Sequence, residues 1–247
     1  MNPQTVRDDV WKSEAVAQGF LTGVRGGLPF ASAQLEVMLR LLAAGGRQIE
    51  RFIDLGCGDG ILAQAVLARF PGAHGTLVDF SEPMLAAARA RLGETSCELV
   101  QADFGAPDWV DAVEDRAPFD AVVSGFAIHH QPDERKRHIY AEIFDLLAPG
   151  AVFVNVEHVA SPSEWVEKIH DDLLIDALYR YHTEAGSAMG RDEVASRYVH
   201  RPDKAANLLS PVEAQCAWLR DIGYQDVDCY FKSFEFAVFG GRRPPEQ

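Results

Sequence analysis

The stretch FIDLGCGDG, residues 52–60, decides the fold. A strand-like apolar run leads into three glycines at alternate positions, Gly56, Gly58 and Gly60. Glycine permits positive φ and lets a ligand approach the backbone closely. The stretch therefore predicts a strand followed by a ligand-binding loop, and the candidate ligands are a phosphate, a dinucleotide or a molecule without phosphate.

Two familiar phosphate loops do not match this stretch. A P-loop needs Lys after its last glycine, and none follows here. A dinucleotide loop needs GxGxxG, but Ile61 stands at the third glycine position. Asp59 is expected to cap the following helix and would put a negative charge where a pyrophosphate binds. The loop thus favours a ligand without phosphates.

Acids also end the next two expected strands. Asp79 lies 19 residues after Gly60, at the end of GTLVD, where a carboxylate can accept hydrogen bonds from both ribose hydroxyls. In QADF, residues 101–104, Asp103 could accept from an adenine amino group and Phe104 could line the ring. Together the three strand ends describe an adenosine with a phosphate-free tail.

Strands and helices alternate around this loop. Strands are expected at residues 52–55, 75–78, 98–101, 121–124 and 151–156, with helices at 61–70, 82–92, 134–147 and 211–222. Such alternation predicts an α/β fold with a doubly wound, mostly parallel sheet. The last two strands, at 227–231 and 234–239, are so close in sequence that they must form an antiparallel hairpin.

Two segments depart from the alternation within what reads as a single domain, residues 1–247. Residues 1–46 are expected to form an N-terminal helical cover, with helices at 6–20 and 33–44 around the glycine-rich GVRGGLPF. Residues 161–210 are expected to form a helical insertion or lid, with helices near 165–179 and 191–198. The stretch between them, RYHTEAGSAMG, is polar and is expected to be loose.

Five consecutive motifs, DLGCGDG, LVDFSEPML, QADF, FDAVVSGFAIHH and LLAPGAVFV, resemble those of class I S-adenosylmethionine-dependent methyltransferases. The resemblance covers roughly residues 51–156 and the terminal hairpin. It implies a Rossmann-like sheet of seven strands, the last antiparallel, and S-adenosylmethionine (SAM) as cofactor. It places Asp79 at the ribose, Asp103 with Phe104 at the adenine, and the glycine loop around the methionine. The implied cofactor residues are Asp54, Gly56, Cys57, Gly58, Asp79, Phe80, Met84, Asp103, Phe104 and Ser124.

A second resemblance extends beyond the core. LPF before a helix and the terminal IGYQDVDCYFKSFEFAVFGG are similar to the branch that includes carboxy-S-adenosylmethionine synthase. Trp218 stands where that enzyme's charged anchor for the extra carboxylate would align, so its activity is not carried over. A carboxy-SAM synthase-like or tRNA-modification-linked enzyme stays an alternative.

The sequence after the fourth strand, SGFAIHHQPD, bears on the acceptor. It lacks the Asn/Asp-Pro-Pro-aromatic run of enzymes that methylate adenine amines and the Pro-Cys of cytosine C5 enzymes. Ser124 stands where catechol-type enzymes have a metal-binding acid. These differences favour methyl transfer to an O, N or S atom of a small molecule.

Four residues near the transferred methyl group are candidate catalytic residues: His129, His130, Glu157 and His158. A histidine there could remove a proton from the acceptor. The alternative is that the first pair packs the loop and that Glu157 and His158 form a hydrogen-bonded pair that fixes the lid.

Three residues are candidates for substrate binding. Trp165 and His170 belong to an aromatic and acidic stretch of the lid that could hold a cation or an aromatic ring. Arg25 could anchor a carboxylate, and a solvated role is the alternative. His170, Asp171 and His182 would be the ligands of a metal site, but no metal is predicted.

Composition limits partners and location. The chain has 247 residues, is 47% hydrophobic and carries a net charge of −14, which disfavours nucleic acid. Its four cysteines show no metal-binding or disulfide spacing. With no membrane span or signal peptide, a cytoplasmic enzyme is expected, with a homodimer as a possible assembly. The rival functions are a non-catalytic SAM-binding protein and an NAD-dependent oxidoreductase.

Overall fold

The computed structural model describes residues 25–94, 96–200, 204 and 206–246. The predicted helix at residues 6–20 and most of the predicted cover at residues 1–46 lie outside the described residues. The backbone of Arg25 belongs to the short 3-10 helix Arg25–Gly27, but its side chain is not among the described ones.

Seven strands form one sheet within the described part of the chain. They are β1 (Arg51–Leu55), β2 (His74–Asp79), β3 (Cys97–Gln101), β4 (Phe119–Gly125), β5 (Leu147–His158), β6 (Gln225–Ser233) and β7 (Phe236–Arg242). Their order is β3-β2-β1-β4-β5-β7-β6. The first five strands pair in parallel, and β7 runs antiparallel to both of its neighbours. The predicted fold class, with its terminal hairpin, is confirmed.

Helices cover both faces of this sheet. They are α1 (Ala31–Ala44), α2 (Ile61–Arg69), α3 (Glu82–Leu92), α4 (Asp133–Leu146), α5 (Glu164–Glu184), α6 (Arg191–Val194) and α7 (Val212–Ile222). Because side chains alternate along a strand, Phe52 packs in the core with α1, α2 and α3. Its neighbour Ile53 packs in the core with α4 and α7. A parallel sheet buried on both faces explains the nearly continuous apolar strands.

The loop after β1 is fixed to the next strand of the sheet. The backbone N–H groups of Gly56 and Cys57 both donate to the carbonyl oxygen of Val78, at 2.8 and 3.0 Å. The parallel strands bring the loops after β1, β2, β4 and β5 to one edge, where α/β proteins bind ligands.

The start of α2 differs from its prediction. Gly60, with a left-handed φ of 76°, occupies the N-cap position that was expected for Asp59. Asp59 is buried and pairs with Arg91 of α3 instead, Oδ2 to Nη2 at 2.5 Å. The turn through Gly60 leaves Asp59 beside α3, so this acid joins the loop to a helix.

The segment between β5 and α7 contains α5, α6 and a π-helical turn, Ala195–Val199. It has an apolar cluster of its own, built on Ile175, Leu178, Val194 and Val199. α5 continues to Glu184, so the predicted loose stretch begins as helix. The imidazole of His182 stacks on Tyr198 at 5.1 Å between centroids, a long-range contact that the local polarity does not reveal.

Candidate functional site

A first cavity of about 650 Å³ opens at the carboxyl ends of the strands. Eight of its lining residues are predicted cofactor residues: Gly56, Cys57, Gly58, Asp79, Phe80, Met84, Asp103 and Phe104. Six lining residues were not predicted as cofactor residues: Ser81, Gly125, Phe126, Ala127, His130 and Gln131. The sequence thus located most of this wall, except for Ser81 and the part contributed by the end of β4 and the loop that follows it.

Asp79 links the walls of this cavity. Its Oδ2 accepts from the N–H of Gly58 and its Oδ1 from the N–H of Ser81, both at 2.9 Å. Burial raises the pKa of Asp79 to about 6, although these backbone hydrogen bonds oppose the shift. The carboxylate therefore both orders the glycine loop and faces the cavity.

Two glycines of the loop have left-handed φ angles, for different reasons. A Cβ on Gly56, at φ 69°, would lie 2.3 Å from the Cβ of Ala127. A Cβ on Gly58, at φ 53°, would meet no atom within 4 Å. Gly56 is thus required by the close approach of the loop after β4, whereas Gly58 leaves room on the cavity side.

Two of the predicted cofactor residues lie away from the cavity wall. Asp54 accepts from the N–H of Ala63 at 3.0 Å, in the first turn of α2, where backbone donors lack helical partners. The hydroxyl of Ser124 donates to the carbonyl oxygen of Leu55 at 2.7 Å. Both side chains support the loop from behind, and neither lines the first cavity.

A second cavity of about 750 Å³ adjoins the first, and Phe126 and His130 line both. Histidines dominate its polar side, and the inserted segment supplies one wall. Its lining residues are Leu28, Phe126, His129, His130, His158, His170, Asp171, Leu174, Tyr198, Val199, Lys204, Asn207 and Phe236. The π-helical turn that contributes Tyr198 and Val199 is a distortion often found at functional sites.

His129 and Glu157 form a buried pair on this cavity. The Nδ1 atom of His129 lies 2.6 Å from Oε1 of Glu157, and the N–H of His129 donates to Oε2 at 3.1 Å. The N–H of His158 donates to Oε1 at 2.8 Å. Burial raises the pKa of Glu157, although the hydrogen bond from the N–H of His158 opposes the shift. A histidine oriented by a carboxylate is the arrangement of a general base.

His130 lies at the junction of the two cavities. Its Nδ1 is 3.1 Å from the carbonyl oxygen of Ala206, so Nδ1 carries the proton and donates. Its ring lies 4.0 Å from that of His129, centroid to centroid. The structure thus brings all four predicted catalytic residues into one cluster.

A polar group that includes His158, His170 and Glu235 borders the second cavity. Nε2 of His158 lies 2.7 Å from Oε2 of Glu235, and the hydroxyl of Ser161 donates to Oε1 of Glu235 at 2.5 Å. Burial lowers the pKa of His170 to about 4, so this imidazole is neutral at pH 7. Glu235 was not predicted, although one acid inside the otherwise apolar run FEFAVF is an available signal.

The other predicted substrate and metal residues are dispersed. Trp165 is 73% exposed and lines neither cavity. Asp171 pairs with Lys204 at 3.1 Å, and His182 stacks on Tyr198, so the trio His170, Asp171 and His182 does not form. Trp165 and His170 both lie in α5, and the orientation of this helix exposes the first side chain and buries the second.

Known proteins match this chain over its core and beyond. The methyltransferase domain family matches residues 52–150. Trans-aconitate 2-methyltransferase of Variovorax paradoxus is 37% identical over 191 residues, which cover 70% of this chain and 68% of that protein. The chain belongs to the class I SAM-dependent methyltransferases. It is an enzyme that uses SAM, and the nicotinamide alternative is set aside.

Two further proteins show how far the similarity of this methyltransferase extends. Carboxy-S-adenosyl-L-methionine synthase of Aeromonas hydrophila is 29% identical over 229 residues, 90% of this chain and 86% of that protein. The crystal structure of human N-acetylserotonin methyltransferase with SAM has a TM-score of 0.63 at 14% identity, covering 99% of this chain and 60% of that one. The structural likeness is one of fold.

The first cavity of the methyltransferase fits SAM chemically. Its wall combines a glycine loop with open space at Gly58, a carboxylate at Asp79, and the apolar Phe80, Met84 and Phe104. Glycine suits a methionine tail, a carboxylate suits ribose hydroxyls, and aromatic walls suit an adenine. Burial raises the pKa of the Cys57 thiol well above its usual range, so it stays protonated and serves as a wall.

None of the described helices is both long enough and apolar enough to span a membrane.

Proposed function

We propose that this enzyme transfers the methyl group of SAM to an oxygen atom of a small molecule bound in the second cavity. The observation that carries the proposal is the junction of the two cavities, because Phe126 and His130 line both. A cofactor in one cavity and an acceptor in the other would meet there. Alignment of the two is worth about 7–11 kcal/mol of the barrier in well-oriented reactions.

The roles of the polar residues follow from their contacts. SAM would supply a methyl group that is already activated on a sulfonium. With Nδ1 of His129 held by Glu157, the ring atom that would take the acceptor's proton is Nε2. Glu157 would orient the ring and stabilise the imidazolium that forms. A hydroxyl acceptor keeps its proton at pH 7 and needs such a base more than a neutral amine does, which favours oxygen.

The cofactor-binding residues are proposed from the lining of the first cavity. Asp79 would accept from the ribose hydroxyls, and Asp103 with Phe80 and Phe104 would hold the adenine. Gly56, Cys57 and Gly58 would surround the methionine part. Met84 would complete the apolar wall. These roles keep the residues of the sequence prediction except Asp54 and Ser124, which lie behind the loop.

The affinity for SAM is predicted to depend on pH through Asp79. Its pKa is raised to about 6, so the carboxylate that accepts hydrogen bonds is lost as the pH falls through 6. Since only the ionised fraction would bind well, the apparent Kd should rise about tenfold between pH 7 and pH 5. Isothermal titration calorimetry at several pH values measures this.

Asp79→Asn is the matched variant for this measurement. It keeps the shape and one acceptor oxygen but cannot ionise. The variant should therefore bind SAM weakly at pH 7, and its Kd should stay constant between pH 5 and 7. A wild-type Kd that stays constant over the same range would remove Asp79 from the ribose site.

The inserted segment is proposed to be the cover of the acceptor cavity, because Leu174, Tyr198 and Val199 line it. Its connecting stretch at residues 185–190 is mostly exposed, and Met189 is its member that packs against the apolar cluster of the segment, so it should open at low free-energy cost. We predict fast hydrogen exchange at residues 185–190 in the free enzyme and slower exchange with S-adenosylhomocysteine and an acceptor. Amides of β1 and β4 should stay protected, and full protection of 185–190 without ligand would make the segment a fixed insertion.

A carboxy-SAM synthase-like activity is the second candidate, because that relative aligns over 90% of this chain. The described wall of the first cavity offers no Lys or Arg to pair with an extra carboxylate. Trp218 does not bear on this question, since it lies in α7 beneath Arg137 at 4.6 Å and lines neither cavity. Methyl transfer is therefore favoured.

One experiment separates the two candidates. The purified enzyme would be incubated with SAM carrying a deuterated methyl group and a panel of small hydroxy and carboxylic acids. Mass spectrometry should show S-adenosylhomocysteine and an acceptor that has gained the labelled methyl group. A cofactor in which a carboxyl group has instead replaced one deuterium of the methyl group would support the synthase-like activity and overturn methyl transfer.

A further inference from the structure

Three metal-ligating side chains from three separate elements meet beside the second cavity. His158 ends β5, His170 lies in α5, and Glu235 lies in the turn between β6 and β7. One ligand atom from each residue lies within 4.8 Å of the other two. Oε2 of Glu235 is 2.7 Å from Nε2 of His158 and 3.6 Å from Nε2 of His170.

His170 is the member of this group whose burial is not explained by a hydrogen bond. It is only 1% exposed, and neither ring nitrogen has a hydrogen-bond partner in the structure. The separation of 3.6 Å from Glu235 is too long for a hydrogen bond. A buried polar group without a partner costs about 1–3 kcal/mol, and native structures contain few of them. The ring lines the second cavity, so a ligand there would supply the missing partner.

The spacing suits a transition-metal ion. Ligand atoms on a tetrahedral zinc ion at about 2.0–2.1 Å lie roughly 3.3 Å from one another. The two measured separations, 2.7 and 3.6 Å, fall on either side of that value. A small rotation of His158 away from Glu235 would equalise them. Two imidazoles and one carboxylate are also the ligand set of zinc and iron sites that keep an open position.

We propose that His158, His170 and Glu235 bind a divalent transition-metal ion of the zinc type, with an open coordination position toward the second cavity. Ser161 holds the second carboxylate oxygen of Glu235, as the supporting partner of a metal ligand does. His129 lies 5.6 Å from the His158 ring, between centroids. An anionic oxygen ligand, from water or from a small hydroxy or carboxylic acid, would complete the coordination.

The test is metal binding by the whole enzyme, with no affinity tag and after treatment with a chelator. Zn²⁺ would be titrated against a chromophoric competitor, and the melting temperature would be followed with and without Zn²⁺. We expect one tightly bound ion per chain and a higher melting temperature with the ion, because a ligand of the native state stabilises it. His170→Gln and Glu235→Gln should each weaken binding more than tenfold.

His182→Gln is the matched control, since His182 is also a buried histidine of α5 but lies outside the cluster. It should bind Zn²⁺ as the wild type does. Crystals of the wild type soaked in Zn²⁺ and measured at the zinc absorption edge test the site without relying on variants that must fold. An anomalous peak elsewhere, an absence of binding, or unchanged binding in both variants would overturn the metal site. Methyl transfer would remain untouched by that result.

Discussion

Replacing His129 by Gln is expected to lower kcat by about 10²–10⁴-fold, the usual contribution of a general base. The Kd for SAM should stay unchanged, because His129 lines only the second cavity. Rates would be measured with the acceptor found by mass spectrometry, at saturating concentrations of both substrates. His138→Gln, an exposed histidine on α4, is the control and should leave kcat unchanged.

Glu157→Gln tests how His129 is positioned. The variant keeps one of the two oxygens that accept from backbone N–H groups and removes the charge beside Nδ1 of His129. It should lower kcat with little change in the KM of the acceptor, whereas a general loss of structure would change both. If His129→Gln keeps kcat within about threefold of the wild type, the acceptor ionises without a base and His129 is only part of the wall.

Gly56→Ala is expected to raise the Kd for SAM by about 10²-fold and to lower the melting temperature. The new Cβ would lie 2.3 Å from the Cβ of Ala127, and the residue keeps a φ of 69°. Left-handed backbone costs about 1–2 kcal/mol for a residue with a Cβ, and overpacking costs about 1–3 kcal/mol more. The loop must move away from the loop after β4, and both loops line the first cavity.

Gly46→Ala isolates the backbone part of this effect. Gly46 has a φ of 79°, and a Cβ there would meet no atom within 4 Å. Gly46 lines neither cavity. This variant should therefore be destabilised only by its left-handed backbone conformation and should bind SAM normally. Calorimetry and thermal unfolding of both variants measure the difference. Equal losses in the two variants would mean that the contact with Ala127 plays no part.

The sequence predicted the fold and most of the wall of the first cavity because their signals are local. Glycines at alternate positions after a strand indicate a loop whose backbone conformation favours glycine. An acid at the end of a strand must lie at the edge of the sheet. Asp79, Asp103 and Phe104 could therefore be assigned to one cavity, and the structure places all three on its wall. Asp54 and Ser124 belong to the same motifs, but which face of the strand end they occupy depends on packing.

The acceptor side was decided by tertiary structure. Glu157 reaches His129 across 28 residues, and Glu235 reaches His158 across 77, through the antiparallel pairing of β5 with β7. No local pattern fixes that register or the rotation of α5, which buries His170 and exposes Trp165. The sequence by itself determined a Rossmann-like methyltransferase with a glycine loop at the edge of its sheet, since local backbone rules suffice for those. Only long-range packing determined which histidines meet which carboxylates, because side chains distant in sequence become neighbours only when the sheet and its insertion are assembled.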